Sequence, residues 1–268
     1  MSIKHIFVTY GNHEYYNSLQ RIRDEVENTK LFDKILIYTD DDLPKEITEN
    51  ILFSYKRGGG YWLWKPWVIL QAINEANDGD IIVYSDCGNT IYPNLEGWLD
   101  LFRLMKKHNA VFFYNGGRMY KWTRKSVFSK FGTGLKKRHY QIISNFFILN
   151  KTAEKLIYEW YYSMKTDPNL VRDVDLEERK YEDKRFIEHR HDQAVLSGVA
   201  YTTYKEFNTL IIPEKSERLR PSGQPVYNSR ISDTGRRSSE NPSSRIILFV
   251  IDNLIKPMRR IETWFLNR

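Results

Sequence analysis

The chain has 268 residues, of which 15% are aromatic, and it carries a formal net charge of +7. This composition favours a folded protein with a substantial core over a disordered chain. The charge is uneven, because residues 214–268 hold 11 Lys and Arg against 6 Asp and Glu, which leaves only +2 for residues 1–213. A nearly neutral body argues against a nucleic-acid-binding domain, which typically has a broad basic face.

Cysteine content and apolar runs indicate the cellular setting. Cys87 is the single cysteine, so the chain can form no intramolecular disulfide, and a reducing compartment is expected. The first residues lack the continuous apolar segment of a signal peptide. The longest apolar run, Ile246 to Ile251, is too short to span a bilayer. We therefore expect a soluble, cytoplasmic protein.

Strand and helix patterns alternate from residue 5 to residue 115. Short apolar runs predict strands at residues 5–10, 33–39, 50–55, 79–86 and 110–115. Apolar residues at helical spacing predict helices at residues 14–29, 66–77 and 95–108, the second of them beginning at Pro66. This alternation predicts an α/β fold with a mostly parallel sheet flanked by helices. Ligands of such sheets bind beyond the carboxyl ends of the strands, here Tyr10-Gly11, Thr39-Asp40 and Ser85-Asp86.

The second half of the chain is less regular. Its pattern predicts a strand leading into a helix over residues 141–164, a charged segment over 172–185 and a short helix at the end of 186–201. Residues 213–242 are rich in Ser, Arg, Pro and Gly, which is typical of a linker. Beyond them, apolar residues recur at helical spacing beside arginines. We predict a main domain over 1–213, a linker over 214–242 and a basic amphipathic helical tail over 243–268.

Asp86 is the first candidate for chemistry. It follows a buried strand and precedes Cys87 and Gly88, and a glycine lets the backbone approach a bound group closely. A carboxylate at this position suits a divalent cation that bridges phosphate oxygens. The alternative is a strand-end aspartate that caps the following turn. Cys87 has no general base near it in the sequence, so we interpret it as a small packing residue rather than a nucleophile.

The segment RGGGYWLWKPW, residues 57–67, is the second candidate. It joins glycines, aromatic rings and Lys65 to the start of a predicted helix. Helix N-termini and glycine-exposed amides favour anions, so the segment suits a phosphate group. Alternatively, the tryptophans pack in the core and the glycines form a tight turn.

The third candidate is HRHDQ, residues 189–193. In an extended segment residues two apart point the same way, so His189 and His191 could share one ligand, or one could bind a metal while Asp192 faces a substrate. The alternative is that Asp192 caps the helix that follows.

Six blocks of the sequence, in this order, resemble bacterial GT-A type glycosyltransferases of capsule, exopolysaccharide and lipopolysaccharide assembly. They are FVTYGN, FDKILIYTDDDLP, RGGGYWLWKPWVILQAI, DGDIIVYSDCGNTIYP, KWTRKSVF and EHRHDQAVLS. The resemblance covers residues 4–212 and implies a GT-A-like catalytic domain. Such a domain would move a sugar, typically a hexose, from a nucleotide-diphosphate sugar to a hydroxyl of a growing surface glycan or a lipid-linked oligosaccharide. UDP-sugars are the favoured donors.

The same resemblance implies roles for individual residues. The implied donor-binding residues are Thr9, Tyr10, Gly11, Trp64, Lys65, Ser85 and Asp86. The family's Asp-x-Asp metal element is reduced here to Asp86, so Mn²⁺ or Mg²⁺ would take His191 as a second ligand, and metal dependence stays open. The implied catalytic residues are Asp192, His191 and Gln193. Asp192 would act as a base for inversion or stabilise an oxocarbenium-like transition state for retention, and the Asp-Gln pair favours retention.

Two further alternatives stand beside this one. A nucleotidyltransferase shares the α/β platform and the need for a metal-bound diphosphate. A carbohydrate-binding or membrane-associated module would use the aromatic residues 61–67 as a sugar platform and the tail as an anchor. An apolar helix flanked by arginines suits an anionic membrane surface, where a lipid-linked acceptor would lie, but it equally suits packing on the domain or on a partner chain.

Overall fold

The computed structural model describes residues 3–216, 225–233 and 235–236. Its strands are β1 His5–Tyr10, β2 Lys34–Tyr38, β3 Ile81–Ser85, β4 Thr90–Ile91, β5 Ala110–Arg118, β6 Tyr140–Ile142, β7 Phe146–Leu149, β8 Thr209–Pro213, β9 Val226–Tyr227, β10 Ile231–Ser232 and β11 Gly235–Arg236. Its longer helices are α1 Tyr16–Thr29, α4 Trp64–Glu75, α5 Leu95–Met105, α7 Lys125–Phe131, α8 Glu154–Thr166 and α9 His191–Thr203; α2 Lys45–Thr48, α3 Gly58–Tyr61 and α6 Met119–Trp122 are single turns.

In the described part of the chain, seven strands form the central sheet in the order β2-β1-β3-β7-β5-β6, with β8 also paired to β5. β1 pairs in parallel with β2 and β3, and β8 pairs in parallel with the first half of β5. β7 is antiparallel to β3 and β5, and β6 is antiparallel to the second half of β5. Five strands therefore run in one direction and two in the other. The predicted α/β fold with a mostly parallel sheet is confirmed.

The core lies on both faces of this sheet. Helices α4, α8 and α9 cover one face, where Val8, Ile82 and Tyr84 are fully buried. Helices α1 and α5 cover the opposite face, with Phe7 and Val83 fully buried between them and the sheet. Because β1 and β3 are covered on both faces, their sequences are continuous apolar runs rather than alternating ones. No helix in the described ranges is both long and apolar enough to traverse a bilayer.

Three predicted elements differ from the structure. Residues 51–54 form a 3-10 turn instead of a strand, because the Asn50 side chain accepts a hydrogen bond from the Leu52 amide and Leu52 is buried in the hydrophobic core. Helix α4 begins at Trp64, two residues before Pro66, which still lies in the first turn, where its missing N–H is not needed. The single strand predicted near 141–150 is divided into β6 and β7, which pair with different parts of β5.

Residues 225–233 pack against the domain beside the third strand. β9 pairs with β4, and the Ile231 amide donates to the Gly88 carbonyl at 3.0 Å. The Asp233 carboxylate accepts hydrogen bonds from the Asn17 and Ser18 amides at 2.9 and 3.1 Å, in the first turn of α1. The predicted domain boundaries remain predictions, and the predicted tail at 243–268 lies outside the described residues.

The cap supplied by Asp233 gives a first prediction. Asp233→Ala should lower the free energy of unfolding by about 1 kcal/mol, because two amide donors at the start of α1 lose their acceptor. Urea denaturation measures this change. Asp24→Ala, at an exposed position in the middle of the same helix, is the control and should change stability by less than about 0.5 kcal/mol. Equal losses in the two variants would contradict the capping role.

Candidate active site

A cleft of about 1290 Å³ opens at the carboxyl edge of the parallel strands. Its floor and walls come from the loops after β1 and β3, the second half of β5, the turn at residues 56–59, the start of α9 and residues 228–232. The sheet edge predicted from the alternation of strands and helices therefore does carry a candidate site. Tyr10, Gly11, Trp64, Lys65 and Asp86 all line this cleft.

Lys65 joins two carboxylates at the floor of the cleft. Its ammonium nitrogen lies 3.1 Å from Asp86 Oδ1 and 3.2 Å from Asp192 Oδ2. The Tyr84 hydroxyl donates a hydrogen bond of 2.6 Å to the same Asp86 oxygen. The Lys65 side chain is only 2% exposed, whereas Asp86 is 33% exposed and so faces the open cleft. Residues 65, 86 and 192 are distant in sequence, and the fold brings them into one charged cluster.

The protonation states of this cluster follow from its burial and charges. Burial alone would lower the pKa of Lys65, but the charges of Asp192 and Asp86 outweigh it and raise that pKa. Lys65 is therefore an ammonium ion at neutral pH. Burial raises the pKa of the Tyr84 hydroxyl well above its ordinary value, so Tyr84 is a neutral donor. Burial, followed by the charge of Asp86, raises the pKa of the Cys87 thiol to about 12, so Cys87 is not a thiolate ligand or nucleophile.

The three glycines place the aromatic rings around the cluster. Gly58, Gly59 and Gly60 have φ of 61°, 55° and 88°, in the left-handed region that only glycine enters readily. Tyr61 and Trp62 continue the same left-handed turn, with φ of 51° and 60°. Non-glycine residues there cost about 1–2 kcal/mol each, so packing must hold them.

Two aromatic stacks supply that packing. The Trp64 ring stacks on Tyr10 with centroids 3.9 Å apart, and its Nε1 donates to the Gly58 carbonyl at 2.9 Å. The Trp62 ring stacks on His191 at 5.3 Å. The turn therefore fixes Trp64 and, one residue later, Lys65 in position.

His189 and His191 do not act as a pair toward one ligand. Their rings meet edge to face at 5.2 Å, but each makes its own hydrogen bonds. His189 Nε2 donates to the Leu170 carbonyl at 2.8 Å, while its Nδ1 accepts from the Arg124 amide, which leaves no free nitrogen. His191 Nδ1 donates to the Val171 carbonyl at 2.7 Å. Only His191 lines the cleft, because α9 begins there and the chain ceases to be extended.

Asp192 and Gln193 lie in the first turn of α9. The residue before this helix is Arg190, so Asp192 is not the helix N-cap that was the alternative interpretation. The Trp160 indole donates to the Asp192 carbonyl at 3.0 Å and fixes the backbone. Gln193 donates through its amide to Gln141 Oε1 at 2.9 Å. Both Asp192 and Gln193 line the cleft.

Among the described residues, the buried acceptor atoms Asn145 Oδ1 and His191 Nε2 of the cleft lining have no hydrogen-bond partner. A third buried acceptor, Asp192 Oδ2, contacts the Lys65 ammonium at 3.2 Å. Buried polar atoms are nearly always hydrogen-bonded, so orphaned acceptors at the floor of a cleft point to a ligand with hydroxyl or amine donors. Asn145 was missed from sequence, because it lies in the break between β6 and β7 that was predicted as one strand.

Two predicted donor-binding residues, Thr9 and Ser85, lie beneath the cleft. Both are fully buried, and neither belongs to the lining. They sit in β1 and β3, strands covered on both faces, whereas Tyr10 and Asp86 come one residue later at the edge. Thr9 and Ser85 thus support the floor instead of contacting a ligand directly.

The residues present do not fit a divalent metal ion. Asp86 Oδ1 already contacts both Lys65 and Tyr84, and Asp192 Oδ2 also contacts Lys65. His191, the predicted second ligand, has Nε2 at 3.8 Å from Asp173 Oδ1, and Asp173 also pairs with Arg57. In the described ranges, no group of three or more His, Cys, Asp or Glu could hold a metal. A cluster of two carboxylates and one ammonium carries a single net negative charge, so it attracts a second cation only weakly.

Cationic side chains dominate the walls of the cleft. In addition to Lys65, the lining includes Lys56, Arg57, Arg118, Lys121, Arg190 and Arg230 against the three acidic residues Glu14, Asp86 and Asp192. This excess attracts an anionic ligand. Arg230 was not identified from sequence, because the Ser-, Arg-, Pro- and Gly-rich composition of the surrounding segment predicted a linker there.

The buried histidines give a prediction for pH dependence. Burial, followed by the charge of His191, lowers the pKa of His189 well below its ordinary value, and burial also lowers the pKa of His191. As the pH falls below about 6.5, the unfolded chain binds protons that the folded chain does not, so the folded state should lose stability. This stability is fully present above about pH 6.5.

Thermal denaturation between pH 7 and 5 measures the effect, which is up to about 1.4 kcal/mol per pH unit for each such histidine. His189→Asn should reduce the slope of stability against pH by one such contribution. His13→Asn, at a side chain that is 83% exposed, should leave the slope unchanged. An unaltered slope in His189→Asn would refute the assignment.

Comparisons with known proteins give structural similarity only. No protein-family model matches the chain, and no curated protein sequence matches it. A glycosyltransferase involved in glycosylation of the major capsid of PBCV-1 is similar over 91% of this chain and 98% of its own, with 9% identity and a TM-score of 0.48. An active-site variant of LgtC is similar over 91% of this chain and 94% of its own, with 10% identity and a TM-score of 0.47.

A third structure is the galactosyltransferase LgtC in complex with donor and acceptor sugar analogues. It is similar over 77% of this chain and 72% of its own, with 12% identity and a TM-score of 0.40. At these identities the likeness concerns the fold alone.

Proposed function

We propose that this protein is a glycosyltransferase that moves a sugar from a nucleotide-diphosphate sugar, with UDP-sugars as the first candidates, to a hydroxyl of a surface glycan or a lipid-linked oligosaccharide. The observation that carries the proposal is the Lys65–Asp86–Asp192 cluster in a large cationic cleft at the carboxyl edge of the sheet. The sequence blocks that resemble GT-A glycosyltransferases contain all three of these residues.

The charge of the cleft suits the donor. A nucleotide diphosphate is strongly anionic, and its charge grows on the leaving oxygen as the bond to the sugar breaks. Preorganised cations and donors stabilise that charge. Lys56 and Arg57 directly precede the glycine turn, and Arg230 precedes Ile231, whose amide donates to the Gly88 carbonyl after β3. All three line the cleft, so they are the candidates for this role.

The orphaned acceptors suit the sugar. A hexose presents several hydroxyl donors. Among the described residues Asn145 Oδ1 is a buried acceptor without a hydrogen-bond partner, and Asp192 Oδ2 is a buried acceptor that contacts Lys65. Hydroxyl groups of the bound sugar would satisfy both atoms and thereby orient the anomeric carbon over the cluster. The stacked Tyr10 and Trp64 rings provide an adjacent apolar wall.

Asp192 is the candidate catalytic carboxylate. If the reaction inverts the anomeric carbon, Asp192 would take the proton of the acceptor hydroxyl. If the configuration is retained, which the Asp192-Gln193 pair favours, its negative charge would stabilise the oxocarbenium-like transition state. Lys65 holds the carboxylate in place in either case. Gln193, which follows Asp192 in α9, would position the sugar. Transfer at a membrane surface stays part of the proposal.

Donor hydrolysis tests the proposal without knowledge of the acceptor. The full chain is incubated with UDP-, GDP- and CMP-sugars, and the release of free sugar and nucleotide is followed by NMR, which also reports the anomer formed first. One donor class should be cleaved. A protein that cleaves and binds no nucleotide-sugar, but binds glycans, would instead be a carbohydrate-binding module.

A further inference from the structure

The contacts of Lys65 bear on how the diphosphate is neutralised. Its ammonium group directs its hydrogen atoms at Asp86 Oδ1, Asp192 Oδ2 and, at 3.4 Å, the Ser144 carbonyl. The side chain is almost completely buried and also lies over the Trp64 and Tyr84 rings, with its nitrogen 5.6 and 5.7 Å from their centroids. A cation held on this many sides is a fixed part of the protein.

A divalent ion bound by Asp86 and Asp192 would lie next to this ammonium group. Mg²⁺ and Mn²⁺ take oxygen ligands at about 2.0–2.2 Å in near-octahedral geometry. Around the cluster, one Asp86 oxygen and one Asp192 oxygen already contact Lys65, and a second cation beside them would repel its ammonium group. The Asp86 oxygen also receives the Tyr84 hydroxyl. The Lys65 ammonium therefore lies between the two carboxylates, at the position where a metal-dependent site would hold its divalent ion.

Other cations line the same cleft. Lys56 and Arg57 are exposed on the glycine turn, and Arg230 is exposed on the segment that packs against Gly88. All three line the cleft. Arg57 is only partly neutralised, by Asp173 at 3.2 Å with both side chains half exposed. Phosphate oxygens accept hydrogen bonds from such side chains directly.

We propose that the donor binds without a divalent cation. Lys65 supplies the fixed positive charge between Asp86 and Asp192, and Lys56, Arg57 and Arg230 contact the diphosphate. This inference rests on the proposed function, because it concerns how the same cleft holds a nucleotide-diphosphate sugar.

Calorimetric titration of the full chain with UDP and GDP, in excess EDTA and in excess Mn²⁺, tests the inference. The affinity for the preferred nucleotide should agree within a factor of about 2 between the two buffers. Electron paramagnetic resonance of Mn²⁺ with protein and nucleotide should show no more bound metal than nucleotide alone binds. Arg230→Gln and Lys56→Gln should each weaken nucleotide binding about tenfold in EDTA, since a charge-assisted contact is lost.

Lys165→Gln is the matched control, because Lys165 pairs with Glu46 outside the cleft, and it should leave the nucleotide affinity unchanged. Tenfold or greater tightening by Mn²⁺, with a protein-bound Mn²⁺ signal, would overturn the cation-free site while leaving the glycosyltransferase proposal in place. Absence of nucleotide binding in both buffers would overturn the proposed function and this inference together.

Discussion

Asp192→Asn should reduce donor cleavage about a thousandfold, within the range expected when a catalytic carboxylate is neutralised. The substitution keeps the shape of the side chain and removes its charge. Asp192 lines the cleft, and its buried Oδ2 lies 3.2 Å from the Lys65 ammonium. A base needs that charge to accept a proton, and an oxocarbenium-like transition state needs it for stabilisation. Initial rates of nucleotide release from the preferred donor, compared with wild type, measure the loss.

Asp183→Asn is the control, because it removes the charge of an aspartate outside the cleft and so shows whether the rate depends on charge at the site in particular. Asp183 is a largely buried carboxylate that pairs with Lys137 and Arg185 and does not line the cleft. Asp183→Asn should therefore keep the rate within about threefold of wild type, even if stability falls. A rate for Asp192→Asn equal to that of Asp183→Asn would remove Asp192 from the mechanism. Thermal denaturation checks that both variants are folded.

Lys65→Met should lower the free energy of unfolding by about 3 kcal/mol and also abolish donor cleavage. Methionine retains much of the buried stem, but it leaves Asp86 and Asp192 close together without a positive charge between them. The cost arises because an unpaired charge in a buried site is far less favourable than one in water. Urea denaturation at neutral pH measures the stability change.

A double variant shows whether the loss comes from charge or from packing. Lys65→Met/Asp192→Asn removes one of the two stranded charges, so it should be more stable than Lys65→Met alone while staying inactive. Asp192→Asn by itself should cost less stability than Lys65→Met, because Asp86 continues to pair with Lys65. If the double variant is the least stable of the three, the ammonium does not act by neutralising the carboxylates.

The sheet edge was predictable from sequence because continuous apolar strands end at polar residues. β1 matches its predicted bounds, and β3 ends one residue before Asp86. The strand predicted at residues 50–55 was wrong, since a short apolar run does not distinguish a buried strand from a buried turn. Here the Asn50 cap and the burial of Leu52 select the turn.

The sequence indicated which residues belong to the candidate site, but it did not indicate how they contact one another. Lys65, Asp86 and Asp192 were each singled out, but a sequence does not show that one ammonium group contacts both carboxylates. That contact depends on the left-handed turn before α4 and on α9 starting at His191, both of which are set by tertiary packing. Local patterns did not indicate Arg230 or Asn145 as site residues. Arg230 lies in a segment of linker-like composition, and Asn145 lies in a segment that was predicted as one strand.

The most direct test of the central claim is the identity of the phosphate product formed from the preferred nucleotide-sugar. The purified 268-residue chain is incubated with that donor, and ³¹P NMR follows the reaction with Asp192→Asn in parallel. Cleavage at the anomeric carbon, as proposed, yields the nucleoside diphosphate and free or transferred sugar, and Asp192→Asn yields almost none. A nucleoside monophosphate with a sugar phosphate would contradict the account, because the bond broken would then lie within the diphosphate.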